Sequence, residues 1–178
     1  TYYGTKTLSA VRAYVTVEGL WTKAQKEATH QLLRYTISED QENYKQFQQA
    51  LMLPKSFSIA RKTMISDNPS YETAYKGFSE SKLVDRDINL LYWLGSNFHN
   101  SPYIHEAFTI WAQGEQKISK LDSLGTVIQK AIAAGEVTMG QKRDFQQKIS
   151  TIDEQITGLE NQFTMTMAAG AEWVRNLI

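Results

Sequence analysis

A heptad repeat near the C-terminus constrains the fold of this chain more than any other feature. Apolar and small residues recur there at alternating spacings of four and three, a pattern that indicates a long helix packed at a shallow angle against other helices. The positions are Phe145, Ile149, Ile152, Ile156, Leu159 and Phe163, continued by Thr166, Gly170, Trp173 and Leu177.

A second repeat of the same kind precedes it. Its positions are Ile104, Ala107, Trp111, Gly114, Ile118, Leu121, Gly125, Ile128 and Ile132. Gly135 is expected to end this helix and Thr138 to begin the last one, which runs from 138 to 178. The short connection predicts that the two helices are antiparallel neighbours.

We call the row of residues that each repeat places on one side of its helix a seam, and glycines and tryptophans fall on both seams. Gly114, Gly125 and Gly170 would let neighbouring helices approach closely. Trp111 and Trp173 should lie in the core, because each occupies a seam position.

The N-terminal part is also predicted to be helical. A first helix is expected from about Thr5 to Thr36, and a capping box beginning at Ser38 should start a second helix that Pro54 ends. Residues 55–82 are predicted to form two short helices, separated at Asn68 and Pro69.

A helix over about 84–98 completes the middle of the chain, and Ser101 with Pro102 begins the long helix of the second repeat. We therefore predict an all-α fold: an antiparallel four-helix up-and-down bundle with long first and last helices and short extra helices in the middle. Residues 1–178 should form a single domain, and an even number of passes would bring both ends of the chain to the same end of the bundle.

Composition excludes several functional classes. The 19 basic and 19 acidic side chains cancel, so no net charge favours nucleic acid. The absence of cysteine excludes disulfides and thiolate chemistry. No nucleophile elbow, phosphate-binding loop or zinc-protease motif occurs, and we expect neither an enzyme activity nor a cofactor.

Polar residues interrupt the seam of the first helix. Positions 18, 22, 25 and 29 should be apolar but hold Glu18, Thr22, Gln25 and Thr29. One interpretation is a drift in register, since a shifted apolar stripe follows at Val17, Leu20, Trp21, Ala24, Ala28, Leu32 and Tyr35. The other is an inter-helix ligand cavity.

The ligand-cavity interpretation gives named candidates. Arg12, Glu18 and Trp21, with Lys23 or Lys26, would supply polar groups to such a cavity. The excess of basic residues on this helix would suit a small anion or a zwitterion, although solvated lysines explain it almost as well.

A metal site has one weak signal. Glu27 and His30 have the Glu-x-x-His spacing of di-iron carboxylate bundles, but such sites need a second copy, and neither His99 nor His105 has a glutamate three residues before it. We therefore predict no metal site. Haem bound by two axial His or Met side chains stays open as an alternative.

Several short motifs carry a resemblance to a known family. They are Arg12-Ala13-Tyr14-Val15, Glu18-Gly19-Leu20-Trp21, Lys23-Ala24-Gln25-Lys26, Tyr35, Asp87-Ile88, Ile110-Trp111 with Gly114, and Trp173-Val174-Arg175. In these motifs the chain resembles the all-helical periplasmic input domains of bacterial transmembrane signalling proteins. The plan is similar to one bundle of the trimethylamine N-oxide sensor kinase's periplasmic domain.

The resemblance implies a role rather than a particular ligand. Such a domain stands between two membrane spans of an inner-membrane protein and passes a helix displacement to a diguanylate cyclase, phosphodiesterase or histidine kinase module. It implies an unknown small ligand or a periplasmic binding protein as partner, and a homodimer. The candidate ligand-binding residues are Arg12, Tyr14, Glu18, Trp21, Lys23 and Lys26.

The ends of the sequence agree with that expectation, because the chain begins without Met and ends within an amphipathic pattern, as a piece of a longer membrane protein would. Two alternatives remain. One is a soluble helical interaction or adaptor module, and the other is a haem- or metal-binding bundle.

Overall fold

The computed structural model describes residues 1–177, which form six helices and no β-strand. The helices are α1 (Tyr2–Ser38), α2 (Gln41–Met64), α3 (Tyr71–Ser79), α4 (Asp85–Phe98), α5 (Pro102–Ala133) and α6 (Met139–Leu177). The prediction of an all-α fold is confirmed. Ile178, which the sequence prediction included in the last helix, lies outside the described residues.

The connection between α1 and α2 differs from the prediction. Thr1 caps α1 by accepting a hydrogen bond from the Gly4 N–H, so the helix begins before Thr5. Ser38 is the last residue of α1 rather than the cap of α2, and the expected capping box is wrong. Glu39 adopts a left-handed conformation with a φ of 60°, which turns the chain, and the Asp40 side chain caps α2 instead.

Pro54 does not end the second helix. It is buried inside α2, which continues to Met64, so the first of the two short helices predicted in 55–82 is the second half of α2. A proline inside a helix costs about 3 kcal/mol, and burying each large apolar side chain recovers about 1.5–3 kcal/mol. Large apolar side chains continue the buried stripe on both sides of the proline, at Phe47, Leu51, Phe57 and Met64.

The buried side chains of all six helices form one contiguous core. α1 packs against α2, α4 and α6, whereas α5 packs against α2 and α6. Phe47 of α2 is fully buried and lies where a Cβ on Gly125 of α5 would come within 2.5 Å of its ring. Further along the same pair, the Arg61 guanidinium donates to both Glu115 carboxylate oxygens, at 2.5 and 2.8 Å.

The two seams are buried or half-buried over most of their length. All predicted α5 positions from Ile104 to Ile128 are buried, which confirms that seam. On α6, however, Trp173 is 52% exposed, and the prediction that it lies in the core is wrong. Its ring reaches Tyr103 in the first turn of α5, at 6.0 Å between centroids, and α5 extends no further to cover it.

None of the six helices described combines the length and the apolar character that crossing a membrane would require.

Candidate functional site

A polar cluster connects the middle of α1 to the middle of α6. The buried Gln25 Nε2 donates to Asp153 Oδ1 and to Thr29 Oγ1, both at 2.8 Å. Lys26 Nζ donates to the same Asp153 oxygen at 3.0 Å and to Thr157 Oγ1 at 2.5 Å. We call these five residues the α1–α6 polar cluster. Gln25 and Thr29 interrupt the apolar seam of the first helix. They can be buried because α6 supplies polar partners.

The Asp153 carboxylate is held in its ionised form. Partial burial alone would raise the pKa of Asp153, but hydrogen bonds from Gln25 and Lys26 and the charge of Lys26 outweigh burial. The net result is a pKa below the ordinary value of an aspartate. This carboxylate therefore fixes the relative position of α1 and α6 as a charged acceptor.

Glu160 lies one turn beyond the cluster in a different environment. Its side chain is only 6% exposed, and its Oε1 is 3.9 Å from Lys26 Nζ. Its Oε2 is buried and has no hydrogen-bond partner. Burial raises the pKa of Glu160 to about 7. The Thr22 hydroxyl and the Lys26 charge oppose this rise, and the Glu18 and Asp153 carboxylates add to it. Near neutral pH this carboxyl is therefore poised between its two protonation states.

A small cavity lies beside Glu160, between α1, α5 and α6. Its volume is about 40 Å³. We call it the tryptophan cavity, and its lining residues are Val17, Glu18, Trp21, Ile110, Trp111, Gly114, Leu159, Glu160 and Phe163.

Unpartnered polar atoms concentrate around this cavity. Residues 1–177 contain four buried side-chain nitrogen or oxygen atoms without a hydrogen-bond partner. Three of them, Trp21 Nε1, Trp111 Nε1 and Glu160 Oε2, belong to residues that line the tryptophan cavity. Burying a polar group without a partner costs free energy, typically about 1–3 kcal/mol. Such groups in one place mark this region as the candidate functional site, although the three atoms themselves are not exposed to the cavity, whose accessible lining is apolar.

The structure brings three of the six sequence candidates to this region. Glu18 and Trp21 line the tryptophan cavity, and Glu18 Oε1 accepts a hydrogen bond from Thr22 at 2.8 Å. Lys26 lies beside it and connects Glu160 to the polar cluster. This grouping follows from the helical spacing of the three residues on one side of α1.

The other three candidates lie elsewhere. Arg12 is exposed and lines a shallow groove with Arg86 and Asp87 of α4. Tyr14 is fully buried, and its hydroxyl donates to the Leu91 carbonyl oxygen at 2.6 Å. Lys23 is exposed on the surface of α1. None of these three lines the tryptophan cavity.

Sequence reasoning missed the residues that α6 contributes. Glu160 was not among the candidates, although Ile156, Glu160, Phe163 and Met167 follow the same four-three-four spacing as the seam, and all four are buried. A carboxylate directly beside the seam, in step with buried apolar residues, was the available signal, because such a residue needs a partner from a facing helix. Glu18 and Lys26 of the first helix are the facing charges.

A second, larger cavity lies at the end of the bundle where α1 begins and α6 ends. Its volume is about 450 Å³. Lys6 Nζ lies near it, 4.3 Å from the centre of the Trp93 ring. We call it the end cavity, and it is rich in aromatic residues: Tyr3, Trp93, Phe98, Tyr103 and Trp173.

Glu27 and His30, which have the Glu-x-x-His spacing, do not come together with other possible ligands into one metal site. Glu27 accepts a hydrogen bond from the Gln31 side chain at 2.8 Å, and His30 is exposed. Across the described part of the chain, no three His, Asp or Glu side chains are grouped as a metal site requires.

Comparison of the chain with known protein families, with curated proteins and with solved structures gives no match. The geometry of the chain and the resemblance of its short motifs therefore carry the functional argument.

Proposed function

We propose that this chain is the extracytoplasmic, periplasmic input domain of a bacterial transmembrane receptor. It would bind a small ligand or a periplasmic binding protein and transmit a helix displacement to a cytoplasmic diguanylate cyclase, phosphodiesterase or histidine kinase module. In this proposal the domain is not itself an enzyme, and it acts as a homodimer in a protein of the inner membrane.

The observation that carries the proposal is that α1 and α6 lie side by side, near each other at both ends and in the middle. Near one end, Lys142 Nζ of α6 donates to the Ile37 carbonyl oxygen of α1 at 3.3 Å. In the middle, the α1–α6 polar cluster joins them, and at the other end Thr1 and Leu177 line the same end cavity. These contacts support an antiparallel up-and-down order of the four long helices, with the start of α1 beside the end of α6.

The polar cluster gives this helix pair a means of switching. Gln25 and Lys26 meet Asp153 in only one register, so a small axial shift of α6 would break both hydrogen bonds together. Two packed helices joined in this way favour discrete arrangements rather than continuous sliding. A ligand that binds one arrangement better shifts the population toward it, by no more than its difference in affinity.

The side chains around the end cavity support a location near a bilayer. Tyr2, Tyr3 and Trp173 are more than half exposed there, and Phe98 is 42% exposed. Tyrosine and tryptophan favour the boundary between lipid and water, because their rings are apolar and carry one polar group. The exposed aromatic residues would thus face the headgroups when α1 and α6 continue toward the membrane.

The test uses a chimeric receptor in which this chain replaces the periplasmic domain of a histidine kinase with a reporter output. Asp153→Asn removes the charge that joins α1 to α6 and needs no known ligand. We expect the basal output to change by about fivefold or more, since a coupling of about 1 kcal/mol corresponds to that factor. Glu154→Gln is the matched control, because Glu154 is the exposed neighbour on the same helix.

Equal basal output from wild type, Asp153→Asn and Glu154→Gln, at equal amounts of protein in the membrane, would contradict the proposal. The reading frame of the parent gene gives a second check. We expect apolar segments of at least about 18 residues on both sides of residues 1–178. If such segments are absent, the adaptor interpretation replaces the receptor.

A further inference from the structure

We propose that Lys26 and Glu160 form a proton-sensitive switch between α1 and α6. With Glu160 protonated, Lys26 stays on Asp153 and the two helices keep the register of the structure. With Glu160 ionised, this carboxylate draws Lys26 away from Asp153, and α6 shifts along α1. The inference deepens the proposed function and rests on it in one respect, since it names the proton as a stimulus for the helix pair that would carry the signal.

Lys26 is shared by two carboxylates that lie at different heights on α6. Asp153 and Glu160 are seven residues apart, so they lie on the same side of the helix and about 10 Å apart along its axis. Lys26 Nζ donates to Asp153 Oδ1 at 3.0 Å and to Thr157 Oγ1 at 2.5 Å, whereas Glu160 Oε1 is 3.9 Å away. A move of the ammonium group from Asp153 toward Glu160 is therefore a move along the helix axis.

Glu160 has little to stabilise its charge in this register. Its side chain is 6% exposed, and its Oε2 has no hydrogen-bond partner. The tryptophan cavity beside it has an apolar accessible lining and a volume of about 40 Å³, and apolar cavities stay dry, so water does not replace that partner. A buried carboxylate without a full partner is strongly unfavourable. Loss of the proton therefore disfavours the register in which Lys26 stays on Asp153.

The charged groups around Glu160 give the shift its direction. The helices that pack against α6 are α1 and α5. From α1, Glu18 repels the ionised carboxylate and Lys26 attracts it, and from α6 itself Asp153 repels it. The α5 residues that line the tryptophan cavity are not titratable. Ionised Glu160 would thus move away from Glu18 and toward Lys26, and a displacement of about 1–2 Å is typical of helices that shift at a packed interface.

Protonation of Glu160 falls in a range where the switch can respond. In the register of the structure, burial raises the pKa of Glu160 to about 7, whereas a direct ion pair with Lys26 would return it toward the ordinary value of 4.5. Because the two registers hold the proton with different affinities, the ratio of shifted to unshifted molecules rises with pH. With these two pKa values, the ratio should rise about tenfold between pH 6 and pH 8.

The test measures the distance between the two helices by pulsed electron spin resonance of the 178-residue chain at several pH values from 6 to 8. The chain contains no cysteine, so spin labels attach only to introduced ones. His30→Cys on α1 and Ala168→Cys on α6 are suitable, because both positions are exposed and lie on opposite sides of the contact between Lys26 and Glu160. We expect the mean distance to change by up to about 2 Å. The NMR resonance of the Glu160 carboxyl carbon should titrate with the same midpoint.

Three variants separate the switch from a general effect of pH. Glu160→Gln should keep the low-pH distance throughout, because glutamine resembles the protonated carboxyl and does not ionise. Glu18→Gln should move the midpoint to lower pH, because it removes a repelling charge and leaves the α1–α6 polar cluster intact. Glu154→Gln is the matched control on the exposed side of α6 and should behave as wild type.

A mean distance that stays the same from pH 6 to pH 8 would overturn the proposal. A pH-dependent distance in Glu160→Gln, or a midpoint of Glu18→Gln at or above that of wild type, would also overturn it. These outcomes are independent of the chimeric-receptor test, because that test measures the output of a membrane protein at one pH after removal of the Asp153 charge. Either experiment can therefore fail while the other succeeds.

Discussion

The pH dependence of stability should be dominated between pH 5.5 and 8.5 by Glu160, and Glu160→Gln should remove that part. Burial raises the pKa of this carboxyl to about 7, from an ordinary value of 4.5. The folded chain therefore binds a proton more tightly than the unfolded chain. Stability then falls as pH rises, because the native state loses a proton that it holds preferentially.

The magnitude follows from the two pKa values of Glu160. A pKa difference of one corresponds to about 1.4 kcal/mol, so the full effect is about 3 kcal/mol, of which about 2 kcal/mol falls between pH 5.5 and 8.5. Asp153 acts in the opposite direction, since its pKa is lowered, and the stability that it contributes is lost only at acidic pH. The two carboxyls therefore act in separate pH windows.

The assay is urea unfolding followed by circular dichroism at several pH values, for wild type, Glu160→Gln and the exposed control Glu154→Gln. Between pH 5.5 and 8.5, the free energy of unfolding of the wild type should fall by about 2 kcal/mol through Glu160, and the glutamine variant should lack this fall. The variant should therefore gain about 2 kcal/mol of stability relative to wild type across this range. Equal urea m-values would confirm that only stability has changed. A difference between Glu160→Gln and wild type that does not vary with pH would refute the reasoning.

Four further substitutions test the packing by urea unfolding. Gly125→Ala should destabilise the protein by about 1–2 kcal/mol, because its Cβ would meet the buried Phe47 ring, and a stabilising effect would contradict this close contact. Gly158→Ala is the matched control: no atom lies near its Cβ position, and it should stabilise the protein by about 0.5–1 kcal/mol. Tyr14→Phe removes a buried hydrogen bond and should cost about 1 kcal/mol, and no loss would mean that water replaces it. Arg61→Ala leaves a nearly buried carboxylate unpaired and should cost about 3 kcal/mol, and a cost below about 1 kcal/mol would mean that this pair behaves as a surface ion pair.

The sequence predicts the helices that carry a regular repeat. The α5 seam follows its heptad positions because α2 and α6 pack along that helix and α1 and α4 add further contacts. Where a helix extends past its neighbours, a heptad position does not predict burial, and Trp173 is exposed although it continues the repeat. The prediction that Pro54 ends the second helix is wrong for a related reason: the local cost of a proline does not include the tertiary burial of the residues that follow it.

The candidate site was only half predictable, since each helix displays only its own contribution. The interrupted seam of the first helix indicated Glu18, Trp21 and Lys26 among its candidates, and these three residues lie in one region of the structure. Asp153 and Glu160 come from a helix more than a hundred residues later in the chain, and no local pattern states which seam they face. The pairing of α1 with α6 had to be known first.

Pro54 has a consequence for how α2 opens. A proline has no amide hydrogen, so the ladder of main-chain hydrogen bonds in α2 lacks one rung at this residue. The segment before it packs against α5 through Phe47. The segment after it packs through Phe57 against Phe78 of α3 and contacts α5 through the ion pairs of Lys55 and Arg61. Amide hydrogens after the proline should therefore exchange together with those of α3, as one cooperative unit that can unfold while the α1–α6 pair stays closed.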